Sequence, residues 1–241
     1  MTLEVCVDSA EGLAAAIAGG ADRIELCSAL ELGGLTPSPG LMRLAAKAPI
    51  PVYAMVRPRP GDFIFGAGDV AVMRGEIDAI RQAGLAGVVL GASRAGGALD
   101  GEVLGQLVAH AEGLGMTLHR AVDLVPDFDA AVELAVELGF ERILTSGGAA
   151  HAAGGTQTLG RMIARAAGRV AIMAGSGIRP GNVGALLEQL PLREVHASCS
   201  APGRAGDVAA IRLGFASVAS RGTSAAIVAE LKRVLGTVTP P

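Results

Sequence analysis

Leu3-Glu-Val-Cys-Val-Asp-Ser-Ala-Glu11 begins as a β-rich run and passes directly into a helix pattern that starts near residue 9. A doubly wound nucleotide-binding sheet usually carries its glycine-rich fingerprint at this first strand-to-helix turn, because the backbone must approach a pyrophosphate there. Cys6-Val-Asp-Ser-Ala-Glu11 contains no glycine. Outward from this turn the same unit repeats. Short β-rich runs lie near 3–7, 23–26, 52–56, 87–90, 116–119, 142–145, 170–174 and 194–197. Helix patterns lie near 9–18, 37–47, 70–83, 100–113, 127–137, 156–167, 180–189 and 223–235. Pro37 and Pro180 suit first helical turns, Asp100 and Asp127 suit N-caps, and Gly84, Gly115 and Gly139 suit positions after helix ends. Strict alternation implies parallel strands, since each return needs a crossover helix. A count of eight favours closure, so the expected fold is α/β, a single (β/α)8 barrel of the TIM type over residues 1–241, with no linker dividing it.

Composition narrows the function. Hydrophobic residues make up 51% of the chain, yet Gly, Pro or charge interrupts every apolar stretch before the roughly 18 residues a membrane span needs. No membrane association is expected. The N-terminus carries acids where a secretory signal would carry basic residues, which points to the cytoplasm. A net charge of −3, one Tyr and no Trp argue against nucleic acid as a partner. Three cysteines without a CxxC pair, in a chain this large, read as reduced thiols. Small molecules or metal ions remain.

In a barrel, chemistry gathers where the strands end and the βα loops begin. Apolar strands here end in charge: Glu25-Leu-Cys27, Arg57-Pro-Arg59, His119-Arg120 followed by Asp123, and His196-Ala-Ser198. Residues two apart share a strand face, so Glu25 goes with Cys27, Met55 with Arg57, Thr117 with His119 and Glu194 with His196. Glu25, Arg57, His119, Asp123 and His196 are therefore the candidate catalytic groups. The competing reading is a buried salt-bridge network that only ties strands together.

Two loops are suited to an anion. Thr145-Ser-Gly-Gly148 follows strand six, and Gly175-Ser-Gly-Ile-Arg-Pro180 leads into a helix. Glycine lets backbone N–H groups reach a phosphate or carboxylate, and the helix dipole adds to the attraction. Ser146, Gly147, Gly175, Ser176 and Gly177, with Arg57 and Arg120, form the candidate anion site. Glycines that merely make tight βα turns are the alternative in a chain with 35 of them. Both lysines, Lys47 and Lys232, lie in helix patterns, which disfavours Schiff-base aldolase chemistry. GxSxG, Walker and HExxH motifs are absent. Acid/base chemistry on a small anionic, phosphorylated or sugar-like metabolite is one reading of this mouth.

Closing the barrel puts strand eight beside strand one and strand one beside strand two, so Cys199, Cys6 and Cys27 fall at three consecutive strand mouths. Soft thiolates, with Met55 as a further donor, suit Cu(I). Isolated cysteines also serve as small buried hydrophobes, and no spacing here is a recognised metal motif.

Ile24-Glu-Leu-Cys27, Gly33-Gly-Leu-Thr-Pro-Ser38, Val56-Arg-Pro-Arg59 with Gly61-Asp-Phe63, Leu118-His-Arg-Ala121 with Asp123, Ile143-Leu-Thr-Ser-Gly147, Ile172-Met-Ala-Gly-Ser-Gly-Ile178 and Glu194-Val-His-Ala-Ser198 together resemble the CutC copper-homeostasis family. The blocks stand in the family's order across about residues 3 to 200. The resemblance implies a TIM-like barrel, a cytoplasmic location, a role in copper tolerance and assembly as a homo-oligomer, dimer or tetramer. It carries Glu25, Arg57, His119, Asp123 and His196 over as site residues and Cys27 as a candidate copper ligand. Cys6 stands beside Val7 where some members of the family have a second cysteine, so a two-thiol site on strand one is not available. The long segments Asp62 to Asp69 and Ala201 to Gly222 read as lids over the mouth or as a subunit contact.

Overall fold

The computed structural model describes residues 1–203 and 206–237. Eight parallel strands close into a barrel in sequence order: β1 (Thr2–Val7), β2 (Arg23–Leu26), β3 (Val52–Met55), β4 (Gly87–Leu90), β5 (Gly115–Leu118), β6 (Arg142–Thr145), β7 (Ala171–Ala174) and β8 (Glu194–Ala197). β8 pairs back onto β1, with Thr2 opposite Glu194 and Val5 opposite Ala197. The helices α1 (Ala10–Ala18), α2 (Pro39–Ala45), α3 (Ala67–Ala83), α4 (Gly101–His110), α5 (Phe128–Glu137), α6 (Thr156–Ala166) and α7 (Pro180–Gln189) follow the first seven strands. After β8 the chain makes an excursion through β9 (Ser200–Pro202), a short α8 (Val208–Arg212) and β10 (Arg221–Thr223), then completes the shell with α9 (Ala225–Thr237). β9 and β10 pair antiparallel. Each barrel strand lies within one residue of its expected bounds.

Local chemistry sets the helix ends. Asp100 accepts hydrogen bonds from the N–H groups of Glu102 and Val103, and Asp127 from those of Asp129 and Ala130. Pro39, not Pro37, occupies the first turn of α2, because Ser38 is the cap. α3 starts three residues early, at Ala67, so the last three residues of the segment from Asp62 to Asp69 are helix. The Arg59 guanidinium pins the remainder to Asp62, Asp69 and the Ile64 carbonyl. Gly115, expected to follow a helix, heads β5 instead.

Alternation sorts the two strand faces. Leu3, Val5, Val7, Ile24, Leu26, Val88, Leu90 and Val195 pack outward into the layer between barrel and helices. Glu4 and Cys6, Arg23 and Glu25, Tyr53 and Met55, and Glu194 and His196 take the other face. The N-terminal end of that interior is closed by ions. Arg23 pairs with both Glu4 and Glu194, and Arg142 reaches Glu194 at 3.3 Å and Glu141 at 2.9 Å. The Arg142 guanidinium stacks 4.6 Å from the Tyr53 ring, whose hydroxyl donates to Glu141 at 2.8 Å. A buried salt-bridge network thus exists, at the end of the barrel opposite the βα loops.

Candidate site at the barrel mouth

Directly above that plug lie Cys6, Glu25 and His196. Cys6 stands opposite Glu25 across β1 and β2, and Glu4, one inward position below Cys6, stands opposite His196. A sulfur, a carboxylate oxygen and a ring nitrogen from these three buried residues lie within 4.8 Å of one another. His196 Nδ1 sits 2.8 Å from Glu4 Oε1, and His196 Nε2 sits 3.7 Å from Glu25 Oε2. Burial alone would lower the His196 pKa, but the facing Glu25 carboxylate, with Cys6 and Glu4, holds it well above its ordinary value. Burial raises the Glu25 carboxyl, with the Glu4 charge adding to it, against the attraction of His196. Glu25 Oε1 is buried without a hydrogen-bond partner.

The other two thiols flank this trio. Cys27 is fully buried, its sulfur 3.6 Å from Glu25 Oε2, and burial together with that carboxylate pushes its pKa well up. Cys199 is buried in a left-handed backbone conformation, φ 45°, just past β8. Burial first and Cys6 second push its thiol up to about 12. Both sulfurs therefore carry protons that a metal would have to displace. Among the described residues, Cys6, Glu25 and His196 are the group of three whose ligand atoms converge; Cys27 and Cys199 lie outside it.

His119 caps the turn after β5. Its Nδ1 accepts the Ala121 N–H at 3.2 Å, which leaves the proton on Nε2, a buried atom without a partner. Burial, reinforced by the Arg57 charge, lowers its pKa to about 3, so the ring is neutral. Phe63 packs against the ring, 4.8 Å between centroids, and Gly91 lies so near that a Cβ there would come within 2.5 Å of it.

Three expected roles change on sight of the contacts. Arg57, expected to grip an anion, donates to the carbonyls of Leu32, Gly34 and Gly61 and so fastens two βα loops together. Asp123, expected among the catalytic groups, is turned into the loop after β6. It accepts from the hydroxyls of Thr145 (2.6 Å) and Ser146 (3.0 Å), from the N–H groups of Ser146 and Gly148, and from Arg120 at 2.7 Å. The Gly147 N–H is taken by Thr145 Oγ1 at 2.9 Å. The cradle read at Ser146 and Gly147 is filled by the protein's own carboxylate. The second loop remains open: Ser176, at φ 76°, and Gly177 border a cleft of about 790 Å³ that also touches Cys6, His196, Cys199 and Arg179. A Cβ at Gly175 would meet the Leu144 side-chain end at 2.4 Å and His196 at 3.4 Å, so a larger residue there would displace Leu144.

The model of the CutC family matches residues 1–201, more than four fifths of the sequence. The chain belongs to the CutC family. A CutC family protein of Sinorhizobium medicae is 59% identical over 233 residues, covering 97% of this chain and 95% of its own. Another, from Caulobacter vibrioides, is 57% identical over 235 residues, 97% of this chain and 96% of its own. A solved structure from Streptococcus agalactiae, provisionally named copper homeostasis protein CutC, superposes with a TM-score of 0.79 at 27% identity, covering 82% of this chain and 98% of that one. Phosphoribosylanthranilate isomerase from Thermotoga maritima, 12% identical with a TM-score of 0.60 over 99% of this chain and 100% of that one, shares the barrel alone. The CutC match ends at β9, so the part of the mouth built by Cys6, Cys27, Glu25, His119 and His196 lies inside the family's core. Among the described residues no helix is long and apolar enough to cross a membrane.

Proposed function

We propose that this CutC family chain acts in copper homeostasis in the cytoplasm and takes Cu(I) as cargo at the thiols of Cys6, Cys27 and Cys199. The observation that carries this reading is the placement of three soft donors at the mouths of the adjoining strands β8, β1 and β2. Cys6 on β1 lies between Cys27, just past β2, and Cys199, just past β8. The alternative of acid/base chemistry on a small anion loses two of its parts, since Arg57 holds carbonyls and Asp123 holds a loop. A homo-oligomer, dimer or tetramer, is supported by the apolar surface of the excursion after β8, where Val208, Leu213, Phe215 and Val218 are exposed. Light scattering of the purified protein tests that assembly.

An anaerobic Cu(I) competition titration tests the copper reading, with the reduced protein set beside a Cys6→Ser, Cys27→Ser, Cys199→Ser variant. The native protein is expected to hold Cu(I) against a strong chelator and the variant to surrender it. Equal behaviour of the two excludes the thiols as the copper site.

A further inference from the structure

The trio of Cys6, Glu25 and His196 has a donor set unlike that of a thiol-based Cu(I) site. One sulfur, one carboxylate and one imidazole form a mixed set, and such sets suit borderline divalent ions, whereas Cu(I) is selected by several soft sulfur donors. The three ligand atoms lie within 4.8 Å of one another, and one edge is close to that of a coordination polyhedron. The 3.7 Å between His196 Nε2 and Glu25 Oε2 compares with the edge of about 3.4 Å expected of a tetrahedron with bonds of ~2.1 Å.

Each donor is already oriented. His196 is held from behind: its Nδ1 contacts Glu4 Oε1, and Glu4 is itself bound by Arg23 through its other oxygen. That leaves Nε2 facing Glu25, the carboxylate-histidine arrangement that fixes the ring in metal sites. Glu25 is buried, and its Oε1 has no hydrogen-bond partner. A buried carboxylate oxygen left without a donor is costly, and a cation is one way to satisfy it. Cys6 completes the set from the neighbouring strand. Three protein ligands leave a fourth position of the tetrahedron free. Cys6 and His196 border the cleft, and Glu25 does not, so that position faces the cleft, where Arg120, Arg179 and Arg221 also reach.

We propose that Cys6, Glu25 and His196 bind a divalent cation of the Zn2+ class, with one coordination position open to the arginine-bordered cleft. This site goes beyond the copper reading: the two share Cys6 and so compete for it, but Cys27 and Cys199 are not among the ligands of the divalent site.

The test is a titration of metal-free, reduced protein with Co2+, followed by competition between Zn2+ and a chelator. One equivalent of Co2+ is expected to give a thiolate-to-metal absorption band in the near ultraviolet and strong visible bands of a four-coordinate ion, and Zn2+ is expected to abolish both. Cys6→Ser should remove the near-ultraviolet band. His196→Gln and Glu25→Gln should weaken Zn2+ binding at least tenfold, and Glu4→Gln, which frees the back of the ring, by about 10- to 100-fold. Cys27→Ser, Cys199→Ser should keep the bands while losing Cu(I), which separates this site from the copper reading. The proposal is overturned if native protein gives no band with Co2+, if Cys6→Ser leaves the band unchanged, or if the Cys27→Ser, Cys199→Ser variant loses it. The native titration decides even where a variant fails to fold.

Discussion

Glu4 connects the two ends of the barrel interior to each other through His196: its Oε1 lies 2.8 Å from His196 Nδ1 at the mouth, and Arg23 in the plug below binds its Oε2. The residue is completely buried, so its carboxylate keeps its charge only because both partners are present. Burial alone would raise its pKa; the His196 hydrogen bond and the Arg23 charge lower it to about 2. A carboxylate whose folded pKa is depressed contributes stability above its unfolded pKa and loses it as pH falls through the folded value. For Glu4 that window runs from about pH 4.5 down to about 2. Glu4→Gln leaves two buried cations short of a partner, so it should cost on the order of 3–5 kcal/mol at pH 7. The variant should also lose stability less steeply than native protein below pH 4.5. Urea midpoints at pH 7, 5 and 3 measure both effects; a neutral substitution with a parallel pH profile excludes this role.

His119 gives a second acid dependence, in a different window. The folded ring is neutral with a pKa near 3, whereas an unfolded imidazole protonates near 6.5. Its contribution is therefore complete above pH 6.5 and falls as pH drops toward 3, by at most about 1.4 kcal/mol per pH unit. His119→Gln keeps a polar side chain but cannot titrate. Its unfolding free energy should be flatter than that of native protein between pH 6.5 and 4.5, above the range in which Glu4 acts. Identical slopes for the two proteins would show that His119 is not held neutral.

Asp123 is an internal anion in a cradle built for one. Removing it with Asp123→Ala strands the Ser146 and Gly148 N–H groups and the Arg120 guanidinium, a loss of roughly 2–4 kcal/mol for charge-assisted bonds at a largely buried site. The emptied cradle should then accept inorganic phosphate. The melting temperature of Asp123→Ala is expected to rise more with added phosphate than that of native protein, at matched ionic strength. Equal responses would mean that the loop collapses without the carboxylate and retains no anion cradle.

The sequence made the strands plain because each combines β-branched residues with a clear end, and helix caps such as Asp100 and Asp127 are local signals. It also contained the signal for the trio: Glu4 and Cys6 share a face of β1, as Glu25 and Cys27 share a face of β2. What it could not display was which end of the barrel each charge would occupy. Glu194 and His196 are two residues apart on one face, yet the first joins the plug and the second the mouth. The contacts of Arg57 and Asp123 were hidden from the sequence for a common reason. Arg57 donates to carbonyls 4 to 25 residues away, and Asp123, besides its side-chain partners, accepts from N–H groups 23 and 25 residues away; main-chain donors and acceptors carry no residue signature. The same holds for the excursion after β8. Its β9–β10 ladder depends on backbone pairing of residues about 20 apart, and no local pattern announces it.

Tyr53, the chain's one tyrosine, supports the plug on a shape that two glycines permit. A Cβ on Gly87 would fall 2.3 Å from the Tyr53 ring, and one on Gly115 2.3 Å from its hydroxyl oxygen. The ring in turn carries the Arg142 guanidinium on its face. Gly115→Ala should destabilise the protein by about 1–3 kcal/mol, the usual range for overpacking, and more if β5 cannot shift. Tyr53→Val removes the ring and leaves a cavity, so it is destabilising too. Because the two changes act on the same space, the alanine should cost little once the ring is gone. A double-mutant cycle is then expected to show a coupling of at least about 1 kcal/mol, with the pair more stable than the sum of its parts predicts. Additivity of the two changes would place Tyr53 away from Gly115 and remove the support inferred for the plug.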